Sequence, residues 1–224
     1  MTGAENYDNI VIKFEGYGIL SSMSYGSQLT RKRILECARL EFLEHGFPNA
    51  NMRRIASAAD VTTGALYNHF ANKALLFEAL VESQAGTMLE QFRVIHANVK
   101  QKLPDLSRAG MQQSAYSGTD WMLDYIYENI DVFRLVFCRS EGTRWACFLE
   151  ELIAIEEQAY RVYCEALGRG GQHIEDMFLH MSATSGFQYL VELVSHDVPY
   201  EQAVAVMDNV KRFSMAGWQE ILGL

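Results

Sequence analysis

Val61-Thr62-Thr63-Gly64-Ala65-Leu66-Tyr67-Asn68-His69-Phe70, followed by Asn72-Lys73, is the stretch on which the fold turns. It is too short and too polar to be a core helix. It nevertheless places a tyrosine, a histidine and a lysine at spacings suited to gripping a phosphate backbone. Thr62 stands where an N-cap is wanted and Leu66 and Phe70 recur at the helical interval, so the pattern predicts a brief helix with Val61, Leu66 and Phe70 turned to the core. Its other side is left for something outside the chain.

Working upstream, Asn51 caps a second short helix from Met52 to Ala59, with Ile55 and Ala59 facing inward. Asp60 falls in the tight turn between the two, where a left-handed residue is wanted; Asp takes that conformation less readily than Gly. Thr30 is expected to cap a longer first helix, in which Ile34, Ala38 and Phe42 recur every four residues beside Leu35 and Leu43, with Gly46 as its C-cap. Arg33 stands where a capping box would need Glu or Gln. Downstream, Asn72 caps a fourth helix through Leu75, Leu76, Ala79 and Leu80. Three short helices with a three-residue turn between the second and third make a helix-turn-helix unit.

Charge supports a split between this unit and the rest. The whole chain carries −9, but Thr30 to Leu75 holds seven basic and four acidic residues, giving +3, and the remainder twelve and twenty-four, giving −12. A basic module on an acidic body points to a nucleic-acid partner that the overall charge would argue against.

The run from Thr30 to Leu80, about a quarter of the chain, resembles the DNA-binding domain of the TetR family of bacterial transcriptional regulators. The matching residues are His45-Gly46-Phe47 closing the aromatic-rich first helix, Met52-Arg53-Arg54-Ile55-Ala56, Ala59-Asp60-Val61, Gly64 to Phe70, and Asn72-Lys73 followed by Leu76-Phe77. Asp60 departs from the glycine usual in the family. The resemblance implies an all-α fold, with an N-terminal three-helix helix-turn-helix domain over 30–76 and a C-terminal helical ligand-binding and dimerisation domain over 77–224. It also implies DNA contacts. The small side chains of Thr62, Thr63, Gly64 and Ala65 lie at the end of the recognition helix that enters the major groove. Tyr67, His69 and Lys73 reach phosphate, and Arg53 reaches phosphate or a base.

Residues 1–29 show no consistent period and are expected to be mostly disordered, with Met23 a possible alternative translation start that N-terminal sequencing would test. Leu103-Pro104-Asp105 is expected to break the fourth helix before a polar connection to about Gly118. Three apolar-periodic stretches follow, Thr119 to Cys138, Arg144 to Leu167 and His173 to Ser195, with a break at Gly168-Arg169-Gly170-Gly171. Asp197-Val198-Pro199 opens the last helix with Pro in its first turn.

One helix-turn-helix makes few contacts, so a homodimer on a palindromic operator of double-stranded DNA is expected. The family's four-helix interface maps onto Met181, Ser185, Gln188, Met207, Val210, Ser214 and Gly217. Its small-molecule pocket falls among Trp121, Tyr125, Phe137, Trp145, Phe148, Tyr163 and Met177, implying a lipophilic effector. Glu150, Glu151, Glu156 and Glu157 could favour a cation but read as a solvated face. His173, Asp176 and His180 share a helical face without a fourth ligand, so no metal is assigned. No cofactor is expected, and no nucleophile–base pair or phosphate loop suggests an enzyme. Cys37, Cys138, Cys147 and Cys164 are too scattered for a motif. No run long enough to span a bilayer and no secretory signal occur, so a cytoplasmic regulator, in this family usually a repressor, is expected. Control by a protein partner, or by oxidation of Cys138, Cys147 or Cys164, is the alternative to a small ligand.

Overall fold

The computed structural model describes residues 25–97, 108–167 and 174–222. They form nine α-helices and one 3-10 turn, without a strand among the described residues. The first four helices are α1 (Tyr25–Asn49), α2 (Met52–Ala58), α3 (Thr63–His69) and α4 (Lys73–Ala97). The body continues with α5 (Arg108–Glu128), α6 (Ile130–Cys138), the 3-10 turn Arg144–Cys147, α7 (Phe148–Leu167), α8 (Asp176–Ser195) and α9 (Tyr200–Leu222). No helix among the described residues is long and apolar enough to cross a membrane.

Local chemistry fixes most of the N-terminal half. The side chains of Asn51, Thr62 and Asn72 accept from the Arg53, Ala65 and Leu75 amides at 2.8, 3.1 and 2.8 Å, satisfying backbone donors that each helix start would otherwise leave bare. Gly46, at φ 70 and ψ 164, takes the chain out of α1 before the turn around Pro48. Asp60 takes φ 51, and Val61 N–H then closes on the Ala56 carbonyl at 3.0 Å, so the aspartate meets the left-handed requirement of the turn.

Four boundaries differ from the sequence expectations. Helix α1 begins at Tyr25, and Thr30, expected as its cap, instead donates its hydroxyl to the Gly26 carbonyl inside the helix at 3.0 Å. The stretch from Arg108 to Gly118, expected as a polar connection, is helical. Thr119 to Cys138 is two helices, because the backbone at Asn129 leaves the helix and its side-chain amide donates to the Tyr125 carbonyl at 3.0 Å. Pro199 precedes the last helix, its carbonyl accepting from Gln202 and Ala203 at 3.0 and 2.9 Å. Residues 1–24, the Leu103-Pro104-Asp105 break and the Gly168–Gly171 break lie outside the described residues.

One continuous core joins the two halves. Ile34, Ala38 and Phe42 of α1 pack with Ile55 of α2, Leu66 and Phe70 at α3, and Leu76 and Phe77 of α4. Each of the Ile, Leu and Phe side chains among these, once fully buried, contributes about 1.5–3 kcal/mol. Helix α4 then carries the core onward through Val81, Met88 and Phe92 to Phe133, Phe148 and Phe187 in the body. A 25-residue helix runs roughly 37 Å, so α4 links the reading head to the body's interior.

Candidate nucleic-acid interface and effector cavity

Leu66 and Phe70 anchor α3 from below and leave its outer side open. Thr62, Gly64, Tyr67 and Asn68 are exposed; Thr63, Ala65 and His69 are half-buried. Tyr67, a large aromatic, is 46% exposed. Arg53 is exposed at the start of α2, and no partner holds its guanidinium among the described residues. Arg54 beside it is occupied, donating from Nε to Glu41 Oε1 at 2.9 Å and from Nη2 to the Asn49 carbonyl at 3.1 Å. Lys73 is also engaged: Nζ donates to the Pro48 and Ala50 carbonyls at 3.0 and 3.2 Å and lies 4.7 Å from the Phe47 ring centre. Its ammonium therefore ties α4 to the turn after α1 rather than standing clear of the surface. His69 Nδ1 is buried without a partner, and the His69 carbonyl accepts from Arg31, whose guanidinium lies 4.2 Å over Phe70. Asn68 shares the open side with Tyr67 and was not among the residues expected from sequence. Its amide suits bidentate pairing with adenine, a signal readable once the helix phase is fixed.

A cavity of about 270 Å³ opens within the body among α4, α5, α7, α8 and α9. Of the seven residues expected to form a ligand pocket, Tyr163 alone lines it. Trp121 stacks on Tyr125 at 5.5 Å, and the Tyr125 hydroxyl donates to the Gln84 carbonyl at 3.3 Å. Phe137, Trp145 and Phe148 form an aromatic cluster with Phe133 that closes the body against α4, and Met177 is exposed. The cavity walls are instead Phe92, Phe187, Leu190, Tyr160, Trp218 and Met122, with His96, Glu156 and Lys211 among the polar groups. Glu156, expected on a solvated face, turns inward and pairs with His96 Nε2 at 2.7 Å. Burial, then the Glu156 charge, pushes the Tyr160 hydroxyl well above its usual range and keeps it a neutral phenol. Asp176 and His180 are spent on Arg161 and Glu157, while His173 lies outside the described residues.

Known proteins agree with this arrangement. A family profile described as "Bacterial regulatory proteins, tetR family" matches residues 34–80, which hold the whole helix-turn-helix. The DNA-binding domain is of the TetR family. It is 36% identical over 75 residues to the HTH-type transcriptional regulator UidR of Escherichia coli K12, a match covering 34% of this chain but only 38% of UidR. It is 26% identical over 206 residues to the "Probable acrEF/envCD operon repressor" of the same strain, covering 83% of this chain and 87% of the relative. Among solved structures, the transcriptional regulator FadR of Bacillus subtilis in complex with stearoyl-CoA superposes with a TM-score of 0.51 at 14% identity, over 83% of this chain and 98% of FadR. That likeness concerns the fold.

Beyond this TetR-family domain, the last two helices present apolar side chains that no other described residue covers. Met177, Phe178 and Met181 of α8 and Val206 and Phe213 of α9 are exposed, Phe213 by 75%. Ser185 and Gln188 lie on the open side of α8, and Gly217 on that of α9. Met207, Val210 and Ser214, expected at a dimer interface, face the cavity instead, and Met207 is 2% exposed. The stripe of α9 expected to meet a partner therefore points inward, and Val206 and Phe213 stand outward in its place.

Proposed function

We propose that this chain is a cytoplasmic, homodimeric repressor that binds a palindromic operator through α3 and is released by a small molecule entering the cavity. The observation that carries the reading is the open side of α3. Tyr67, Asn68, Gly64 and Thr62 are held outward by a buried Leu66–Phe70 base, and Arg53 stands free beside them. Thr62, Thr63, Gly64, Ala65 and Asn68 read base edges, and Arg53, Tyr67 and His69 hold phosphate, with the start of α4 at Lys73 turned to the backbone. The names of UidR and of the operon repressor support a regulatory role. The exposed face of α8 and α9 is the dimerisation surface, pairing Met181, Ser185 and Gln188 with Val206, Phe213 and Gly217 across a two-fold axis.

FadR carries stearoyl-CoA in its own structure, and by the same logic the cavity here is the effector site. Helix α4 starts at the DNA-binding half and lines the cavity through Phe92 and His96 near its far end. A ligand that shifts those residues changes the spacing of the two reading heads, and a coupling of about 1–3 kcal/mol suffices to release the operator. Control by oxidation of Cys138 or Cys164 is the weaker reading, because burial pushes both thiols above their usual range and disfavours the reactive thiolate; Cys147 is the exposed cysteine of the three.

The test is selection of duplexes by the full chain from a random pool, followed by footprinting. Two protected half-sites about one helical turn apart are expected, with Asn68→Ala relaxing preference at one position in each. A single unsymmetrical footprint, or no selection at all, would sink the reading.

A further inference from the structure

Helix α4 leaves the reading head at Lys73 and ends beside the cavity, where ion pairs hold its last turns to α7. Arg93 Nη2 lies 3.0 Å from Glu151 Oε2, with both side chains about half exposed. An arginine–carboxylate pair keeps both charges through the neutral range. One turn on, His96 Nε2 lies 2.7 Å from Glu156 Oε2, with 17% and 21% of the two side chains exposed. Histidine is the residue whose charge changes near neutrality.

The His96 ring is committed on both sides. Nδ1 lies 2.8 Å from the Phe92 carbonyl, which can only accept, and Nε2 faces a carboxylate. Both nitrogens must carry a proton for both contacts to attract, so the ring is a cation. Loss of the Nε2 proton turns a nitrogen lone pair onto the carboxylate at the same distance, and attraction becomes repulsion.

No neighbouring group takes over this response. Among the described residues on the cavity wall, the other titratable ones are Tyr160, Tyr163 and Cys164 of α7 and Lys211 of α9. Asp120 of α5 reaches that wall by pairing with Lys211 at 2.5 Å, and α8 brings no titratable group to it. Burial, then the Glu156 charge, pushes Tyr160 and Tyr163 up, and burial does the same for Cys164. Burial works against the Lys211 charge, but Asp120 and Asp208 outweigh it and hold the ammonium above its usual value. All four therefore stay protonated through the neutral range. Two reading heads bind one operator only at the spacing its half-sites dictate, so a slack α4 adds an ordering cost to binding.

We propose that His96 and Glu156 form a proton-controlled clasp on the far end of α4. With the imidazole doubly protonated, the clasp holds α4 to α7 and keeps the heads set for the operator. With one proton lost, it opens and operator affinity falls. Below the ordinary histidine value of about 6.5 the clasp is closed, and it is lost as pH rises through the titration of the paired ring. This rests on the reading of α3 as the operator-binding helix.

Two measurements on the full chain test it. Fluorescence anisotropy with the selected duplex follows operator affinity from about pH 6 to about pH 9 for wild type and His96→Gln, whose amide still donates to Glu156 but does not titrate. Wild type is expected to lose at least about fivefold relative to the variant across that range. The ratio cancels His45 and His69 of the reading head, which both proteins share. NMR of the ring signal missing from His96→Gln is expected to show His96 titrating above about 6.5, and Glu156→Gln to return it to that value or below. Parallel affinity profiles, or a wild-type His96 titration at or below the ordinary value, overturn the proposal. Should His96→Gln fail to fold, Glu156→Gln replaces it in the affinity series and should lose operator affinity at lower pH than wild type; an unchanged midpoint overturns the proposal. Parallel profiles on a duplex that both proteins bind leave the regulatory reading standing, whereas a chain that selects no duplex at any pH sinks both.

Discussion

Glu41 accepts the Asn51 amide at 2.7 Å and Arg54 Nε at 2.9 Å, so one carboxylate joins the side of α1 to the first turn of α2. Burial works against its charge, but Arg54, the Asn51 amide and His45 outweigh it and hold the carboxyl below its usual value. A carboxylate with a depressed folded pKa adds stability that is present above the usual carboxylate range and lost as pH falls through the depressed value. Glu41→Ala is expected to cost about 1–2 kcal/mol at neutral pH by orphaning the Asn51 amide. The gap between wild type and Glu41→Gln should narrow below about pH 4. Urea unfolding at neutral and acid pH measures both. Lys73 invites a second comparison. Its ammonium serves two carbonyls, so Lys73→Ala should lower stability by about 1–2 kcal/mol. It should also reduce the salt slope of DNA binding by less than the roughly 0.9 of a full phosphate contact. A full-contact drop in slope with unchanged stability would show that Lys73 leaves its carbonyls for the DNA.

At the scale of elements, Gly46 decides how α1 ends. Its φ of 70 with ψ 164 is a region that side-chain-bearing residues rarely occupy, and the next amide, Phe47 N–H, donates to the Arg139 carbonyl at 2.9 Å. Gly46→Ala is expected to cost about 1–3 kcal/mol and to weaken DNA binding by tilting the reading head, as melting curves and gel shifts would record. Such ends were legible in the sequence because they are local: Asn51, Thr62, Asn72 and Gly46 each act on the backbone within a turn of themselves. Thr30 misled because a threonine inside a helix can satisfy its hydroxyl on the preceding turn and need not mark a start. The break at Asn129 was hidden because apolar periodicity runs on through Ile130 and Phe133. The cavity was harder still. Aromatic residues at helical spacing look the same whether they close a core, as Trp145 and Phe148 do, or line a space, as Tyr160 and Trp218 do. The stripe of α9 posed the same difficulty: periodicity identifies a face, and only the tertiary neighbours say whether that face meets a partner or the chain's own interior.

Over the whole molecule, polar ties between the N-terminal helices and the body include Arg39 to Asp131, Phe47 N–H to the Arg139 carbonyl, and Glu78 with Glu82 of α4 to Arg144 beyond α6. Asp131 is the one of these that also answers to the body, since Arg134 lies 3.7 Å from its other oxygen and Arg134 itself pairs with Asp197 before α9. The carboxylate thus stands between α1 and the connection leading to the cavity-lining α9. If cavity occupancy moves the head, part of the movement passes through this pair. Asp131 and Arg39 are each about one-third exposed, so the pair is worth at most about 1 kcal/mol, less than most of the 1–3 kcal/mol needed for release. Asp131→Asn is therefore expected to leave operator affinity without effector, and effector affinity without DNA, each within about twofold of wild type. The ratio between operator affinities with and without saturating effector should shrink by up to about fivefold, while release persists through α4. Fluorescence-anisotropy titrations of labelled operator at zero and saturating effector give both numbers. An unchanged ratio would place the whole coupling on α4 and leave Asp131 a purely structural tie.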